Sequence, residues 1–529
     1  MTSKVQKKDI TLFILFNIFI PTLFFCFAFW FMPVGETFLF DTDEGQELIK
    51  AVLYAKDFTF SSQIWSDQPP LLTIVLSHWF GIFGTSVLAA RLLILCFSTL
   101  AIWSFCQILR FCLGNLLAIV ATFLLCVSCN FLRLSVSVMI GMPAIALTLL
   151  SIYIVISYLE NVHISQEKIL LKQSKIFTRR QQADSPSPHY PINPLSQVLS
   201  HVILLLFSGV CFGIALQFKM FVIFLIPLFC FILCDLTKIG KMKIAESIFP
   251  ALIWLLSAGT TFTLLGIAFG SLNLGSILNF HVSSNLKDVF VRENSAIDVL
   301  VMFLQDFDYV LLAGIGVAVI LKKRSKIHLF PLIWLFLSTL LLLNHKPLWY
   351  HHYILLSLPL TWLASYGVSL AVPIFKTKLG FSRTPIAHSS ILPKIAAGLC
   401  IFSLVAIPIK LGVIQWQNQL FAKESQDKFA VVNNILEYKE NTHWLFTDNP
   451  GYAFYSNILV PPEIAVLSRK RVASGEVTQE YLNALLNKYQ PEQIILERFP
   501  EVYEPIRPEL EANYSKIYEK GSTRHFVRR

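Results

Sequence analysis

A chain of 529 residues with 55% hydrophobic and only 14% charged side chains, 45 Phe among them, cannot cover a soluble surface, because that takes roughly a quarter charged residues. The same numbers exclude collagen-like, disordered and disulfide-scaffold chains and leave an integral membrane protein. The net charge of +10 does not point to nucleic acid, since the basic residues sit in short clusters between apolar runs, the pattern that orients helices in a bilayer. All ten cysteines lie in or beside apolar segments and outside 33–90, 271–306 and 414–529, so neither a disulfide framework nor a thiolate metal site is implied.

A bilayer core about 30 Å thick takes roughly 20 apolar residues of helix. In chain order, spans are predicted at 10–32, 88–109, 114–132, 139–159, 198–218, 220–236, 247–270, 307–321, 329–343, 353–373 and 395–413, eleven in all. The start, with Lys4, Lys7 and Lys8 before an apolar run, has the look of a signal peptide. It is long for one and lacks a small-x-small exit, so it reads as an uncleaved anchor. The short segment LLTIVLSHWFGIF (71–83), which carries His78, reads as an interfacial helix rather than a span.

With 71–83 not crossing, the basic clusters fall on one side. They include Lys4 to Lys8, Arg110, Lys168 to Arg180, Lys238 to Lys243, Lys322 to Lys326 and Lys376 to Lys394. The opposite loops hold few basic residues and the acidic groups of the first and third large loops. The positive-inside rule then predicts a cytoplasmic N-terminus and a cytoplasmic loop at 160–197. It places loops 33–87 and 271–306, and the tail 414–529, outside.

The tail differs in composition. ESQDKFAVVNNILEY (424–438) and TQEYLNALLNKY (478–489) read as helices, WLFTD (444–448) and QIILER (493–498) as strands. The expected fold class is therefore an all-α polytopic membrane domain, residues 1–413, with interfacial helices in the first external loop, followed by a small external α/β domain, residues 414–529. No internal repeat is visible.

The first external loop is chemically unusual. FDTDEGQE sets Asp41, Asp43, Glu44 and Glu47 just beyond the first span; WSDQPPLL follows, with Asp67 and Gln68, and Arg91 opens the next helix. One reading is a solvated acidic loop. The other is a carboxylate held at the membrane surface with a cation nearby for an anionic group. Lys219 (QFKMF) and Lys346 (HKPLWYHH) lie at similar borders, where a charge is costly unless paired. Each could equally be a snorkelling headgroup contact. His345, Tyr350, His351, His352 and Tyr353 cluster at one membrane edge, which suits either substrate contact or an aromatic belt. A zinc site from His351 and His352 is disfavoured because adjacent helical residues point about 100° apart.

DEG (43–45), QPPLL (68–72), AARLL (89–93), HKPLWYHHYILLSLPL (345–360) and the tail motif PGYAFYSNILVPPEIAVLSRKRVASGE (450–476) together resemble the C-fold membrane glycosyltransferases. The similarity is to the protein O-mannosyltransferase and aminoarabinose-transferase-like branch, in a bacterial form with an extra C-terminal domain. The resemblance implies inverting transfer of a sugar from a polyprenyl-phosphate donor to an acceptor hydroxyl at the external face of a bacterial plasma membrane. It implies as partners that lipid-linked sugar, membrane lipid and an acceptor lipid, protein or glycan. It assigns catalysis to the pair Asp43 and Glu44, with Asp43 as general base, and donor-phosphate binding to Arg91, Lys219 and Lys346. Asp41, Asp67, Gln68, His345, Tyr350, His351, His352 and Tyr353 become substrate-contact candidates. Divalent metal use differs within the family and is left open, with no cofactor otherwise implied.

Two departures matter. Gln68 stands where the family often has Lys, so a phosphate contact is lost there, with Asp67 the neighbouring substitute. RLSVSVMIGMPAIAL (133–147) lacks the acidic residue often found external to the fourth span. The alternative function is a transporter or flippase of lipid-linked saccharides.

Overall fold

The structure, a computed structural model, describes residues 9–60, 62–179, 194–234, 244–271, 294–323, 325–378 and 391–529. Residues 180–193 of loop 160–197, most of loop 271–306, and the clusters at Lys4 to Lys8 and Lys238 to Lys243 lie outside the described residues.

Among the described residues, eight helices are long and apolar enough to cross a membrane: Asp9–Phe31, Val87–Leu113, Gly141–Val162, Val198–Phe218, Ser247–Ala268, Lys326–Leu343, Tyr350–Lys378 and Ile391–Glu437. The pair Ser295–Gln305 and Phe307–Lys323, bent by 90° at Asp306, makes a ninth. The remaining two predicted spans are short. The stretch 114–132 contains the helix Asn115–Cys126, and 220–236 contains a 3-10 turn at Met220–Leu225 running into the helix Ile226–Leu233.

Both short segments nevertheless join opposite ends of the bundle. Lys219 sits at the end that holds Asp43 and His345, whereas Lys326 Nζ donates to the Cys234 carbonyl at the start of the helix that climbs back to His345. Six residues at a 3-10 rise and eight at an α rise cover about 24 Å, enough for most of a bilayer core. Asn115–Cys126 likewise leaves the far end of Val87–Leu113 and delivers Cys129 to Tyr350, whose hydroxyl donates to the Cys129 carbonyl at 3.3 Å. Among the described residues, nine of the eleven predicted spans thus have a helix, or a bent pair, long and apolar enough to cross, and the other two are shorter apolar helices.

Tyr350–Lys378 is the central helix, buried along most of its length, with Trp362 and Tyr366 fully enclosed. It crosses Phe307–Lys323 at close range through Gly316 and Gly367, where a Cβ on either would strike a carbonyl of the other helix. Small residues at a crossing are what allow backbones to approach in lipid. Asp9–Phe31, by contrast, presents Phe13, Ile18, Leu23 and Trp30 outward, as a lipid-facing rim helix should.

The segment after the first span folds into two helices, Thr42–Tyr54 and Leu71–Phe83, the second being the expected interfacial helix. The last span runs without a break from Ile391 to Glu437 into the tail. There a four-stranded sheet forms from β1 (Leu445–Thr447), β2 (Gln493–Leu496), β3 (Tyr514–Lys520) and β4 (Thr523–Arg528), in the order β1-β2-β4-β3. β1 and β2 are parallel; β4 is antiparallel to both neighbours. On one flank Leu482, Leu486, Val502 and Ile506 pack from the helices Gln479–Tyr489 and Pro500–Asn513.

A second core is shared with the first loop. Phe38, Ile49 and Leu53 pack with Val432, Ile435, Leu445 and Tyr452. The loop helix and the short helix Gly451–Ser456 touch backbone to backbone, since a Cβ on Gly45 would lie 2.7 Å from the Gly451 nitrogen. Loop and tail thus form one cap on one end of the bundle.

Candidate functional site

The cap encloses a cavity of about 190 Å³ against the bundle end, lined by Asp41, Asp43, Glu47, Asp67, Gln68, Lys219, His345, His351 and His352 among others. Its acidic wall starts at the helix Thr42–Tyr54. Asp41 caps that helix by accepting from the Asp43 amide at 3.0 Å, and the acidic residues of the first turn suit the helix N-terminus. This start fixes the helical phase. Asp43 then faces the cavity, and Glu44, about 100° further round, faces the bundle.

Glu44 is fully buried and fully engaged. One oxygen accepts from the Phe40 amide at 2.7 Å and from Arg91 at 2.9 Å, and the other accepts from the Val138 amide at 2.7 Å. Arg91 is also fully buried, donates to the carbonyls of Val34 and Thr37, both at 2.9 Å, and lies over the Phe40 ring. Glu44 and Arg91 therefore tie three segments together and do not line the cavity.

Asp43 has no such set of donors. Burial, reinforced by Asp41, Asp67 and Glu47 and opposed by Arg498, pushes its carboxyl up to about 7. Burial also raises Asp41, against the hydrogen bond from the Asp43 amide. Lys219 is pulled the other way. Burial lowers its ammonium to about 8, against the attraction of Asp67, Asp43, Glu47 and Asp41. Its Nζ lies over Gly141, and its charge faces the Phe221 ring at 5.1 Å.

The basic wall comes largely from the tail and was not expected from the sequence. Arg469 and Lys470 open the helix Arg469–Ala473, capped by Ser468, and both line the cavity. Arg498 donates to the Thr42 hydroxyl at 3.0 Å across the joint between tail and loop. Its backbone is pinned from below by Asp448, which accepts the amides of Glu497, Arg498 and Phe499 at 2.9, 2.7 and 2.9 Å. Asp448 is fully buried, and burial pushes it up to about 6 despite those donors. The only signal in the sequence is the run SRKR (468–471), whose distance from residue 43 hides its destination.

The remaining candidates divide. His345, His351 and His352 line the cavity around Phe221, whose ring centre is 5.2 Å from His345 and 5.0 Å from His352. Gln68 and Asp67 line it from the loop. Tyr350 and Tyr353 lie against one another behind it, ring centres 4.7 Å apart and planes tilted by 51°, with Tyr350 beneath Arg133, and are not part of its wall. Lys346 is exposed and also outside, although the next residue, Pro347, lines the cavity. Where the resemblance leads one to look for a carboxylate beyond the fourth predicted span, Met139 and Ile140 line the cavity instead. Among the described residues no three His, Cys, Asp or Glu side chains come together as a metal site.

Neither a protein-family model nor a curated protein matches the chain. Solved structures do match. ArnT from Cupriavidus metallidurans bound to undecaprenyl phosphate is similar at 12% identity with a TM-score of 0.58, covering 96% of this chain and 97% of that one. The apo state of that protein gives 11% identity and 0.54, covering 99% and 98%. The archaeal oligosaccharyltransferase AglB from Archaeoglobus fulgidus, in complex with an inhibitory peptide and a dolichol-phosphate, gives 12% identity and 0.52, covering 96% of this chain and 74% of that one. The chain thus shares its overall fold with these two proteins, as the order of the motifs leads one to expect.

Proposed function

We propose that the chain is an inverting glycosyltransferase that moves a sugar from a polyprenyl phosphate to an acceptor hydroxyl. The observation that carries this reading is the placement of Asp43, a carboxylate poised near neutrality, in one cavity with Lys219, Arg469 and Lys470. A fold shared with proteins solved with undecaprenyl phosphate and dolichol-phosphate supports a lipid-borne donor.

In this reading the donor's phosphate lies against the cations and its sugar lies towards Asp43. The Asp43 carboxylate takes the acceptor hydroxyl's proton as that oxygen attacks the anomeric carbon on the face opposite the phosphate. The bond from the anomeric carbon to the phosphate oxygen breaks, and polyprenyl phosphate leaves with the electron pair. Lys219, Arg469 and Lys470 stabilise the charge that develops there, which is where fixed cations lower a barrier. Glu44 and Arg91 hold the loop helix in place.

The membrane is the bacterial plasma membrane, with the N-terminus cytoplasmic and the cap outside; the bias of Lys and Arg between the two ends supports this orientation. Residues 1–413 make the transferase body, and 414–529 close its cavity. Charge gathered at one end of the bundle, without repeated halves, favours this reading over a transporter. Mass spectrometry of lipids copurified with the full chain tests it. A polyprenyl-phosphate hexose or pentose is expected; purification with ordinary phospholipids alone, together with no release of sugar from a supplied polyprenyl-phosphate sugar, contradicts it.

A further inference from the structure

The end of the bundle away from the cap holds a groove of about 720 Å³ whose chemistry is unlike that of the Asp43 cavity. Four helices line it: Asn115–Cys126, Phe307–Lys323, Tyr350–Lys378 and Ile391–Glu437. Its floor lies beside the close crossing at Gly367, where a Cβ would strike the Leu312 carbonyl, and Leu312 and Val368 both line it there. The last helix is seated by Ala396 and Ala397 against Ile315 and Ile374. One and two turns further on, Cys400 and Leu404 border open space instead. The rim, at Leu116 and Leu404, is exposed.

The groove has the dimensions of one leaflet. Its walls run from Leu116 to Leu124 on one helix and from Val368 to Lys376 on another. Eight residues at an α rise cover about 12 Å, most of one leaflet's half of a hydrocarbon core about 30 Å thick. Apart from Ser403 and Lys376 the lining is aliphatic, aromatic or thiol. Lys376 is exposed in the last turn of its helix, with Lys378 beside it. The four helices offer these lysines no acid. Every lining residue falls within 68–159 or 309–423, and neither stretch contains an Asp or a Glu.

An apolar trough that ends in an uncompensated cation matches a phospholipid in both its parts. An acyl chain fills the trough, and the phosphate meets the ammonium, as in basic pockets between membrane helices. The net charge of the lipid decides which kind fits. A zwitterionic headgroup brings its own ammonium, for which this end has no acid, whereas a net negative one matches the lysines.

We propose that the groove is a binding site for an anionic phospholipid of the leaflet away from the cap. One acyl chain lies between Val120, Leu312, Val372 and Leu404, and the phosphate lies on Lys376. The site requires only the membrane-spanning bundle and stands whether or not the glycosyl-transfer reading does.

Native mass spectrometry of the full chain released from detergent tests it, with phosphatidylglycerol or phosphatidylethanolamine of the same acyl chains added. One phosphatidylglycerol per chain is expected to survive activation that strips phosphatidylethanolamine. Lys376→Gln weakens that retention by about fivefold, the worth of one cation beside anionic lipid. Val372→Trp fills the groove, leaves Lys376 in place, and abolishes retention. Leu404→Trp, at the exposed rim, carries the same expectation should Val372→Trp melt early in detergent. Lys346→Gln, an exposed lysine at the opposite end, changes nothing. Equal retention of the two lipids overturns the proposal. So does retention unmoved by Lys376→Gln, retention unmoved by the folded tryptophan variant, or a pair of chains in place of the lipid adduct.

Discussion

Asp43 and Glu44 are adjacent in the chain and occupy two regions with opposite physics. One faces a cavity edged by other carboxylates and by cations from the tail; the other lies in a closed joint where both carboxylate oxygens accept from buried donors. The difference teaches how to tell a working acid from a structural one. A carboxylate saturated by two amides and a guanidinium has nothing left to offer a substrate. A carboxylate raised to about 7 by burial and by like charges is still free to accept a proton.

The largest effect that sharpens this contrast is on folding. Glu44→Ala leaves Arg91 buried without its counter-ion, and breaking such a pair costs about 3–5 kcal/mol. We expect a melting temperature so depressed in detergent that little folded protein is recovered. A variant as stable as the parent contradicts the structural role. Gly45→Ala comes next. A methyl 2.7 Å from the Gly451 nitrogen must push the loop helix from the tail, an overpacking that costs about 1–3 kcal/mol. Limited proteolysis of the joint between loop and tail is expected to speed up, with the bundle unaffected.

A smaller effect lies in the pH dependence of kcat/KM. Asp43 must be ionised to act as a base, so activity rises as pH climbs through about 7. Lys219 must be protonated to hold a phosphate, so activity falls as pH passes about 8. A narrow bell is expected. Arg498→Ala removes a positive charge that holds Asp43 down, so its acidic limb moves to higher pH while the alkaline limb stays. A limb that does not move separates Asp43 from the rate. The smallest effect is expected at Lys346, exposed and outside the cavity wall, where Lys346→Ala should alter transfer less than about twofold, as substitutions at such surface positions usually do.

Much of the bundle is legible in the sequence because lipid imposes a simple rule on composition. Nine of the eleven predicted spans are helices, or a bent pair, long and apolar enough to cross, whereas those predicted at 114–132 and 220–236 hold only shorter apolar helices. The break of 220–236 into a 3-10 turn at Met220–Leu225 and a helix from Ile226 is not legible, since neither the turn nor Pro227 changes the segment's hydropathy. In the tail, β1 and β2 stand out as apolar runs between helices. The β3–β4 hairpin is missed, although Gly521 at positive φ marks its turn, because its outward face is charged. At the site, the acidic pair is visible, but which member faces the cavity depends on Asp41 starting the helix. Arg91 looks like a phosphate ligand until its carbonyl and Glu44 partners are seen. Arg469, Lys470 and Arg498 reach Asp43 only through the packing of Phe38, Tyr452 and Ile435, contacts some four hundred residues apart that no local pattern encodes.

The most direct measurement is sugar release from a polyprenyl-phosphate donor by purified Asp43→Asn, alongside its melting curve. A transfer rate lower by about 10² to 10⁴, as expected when a general base is removed, with an unchanged melting temperature, is the predicted result. Near-parental transfer by a folded Asp43→Asn protein would show that the side chain facing the cavity does not move the proton.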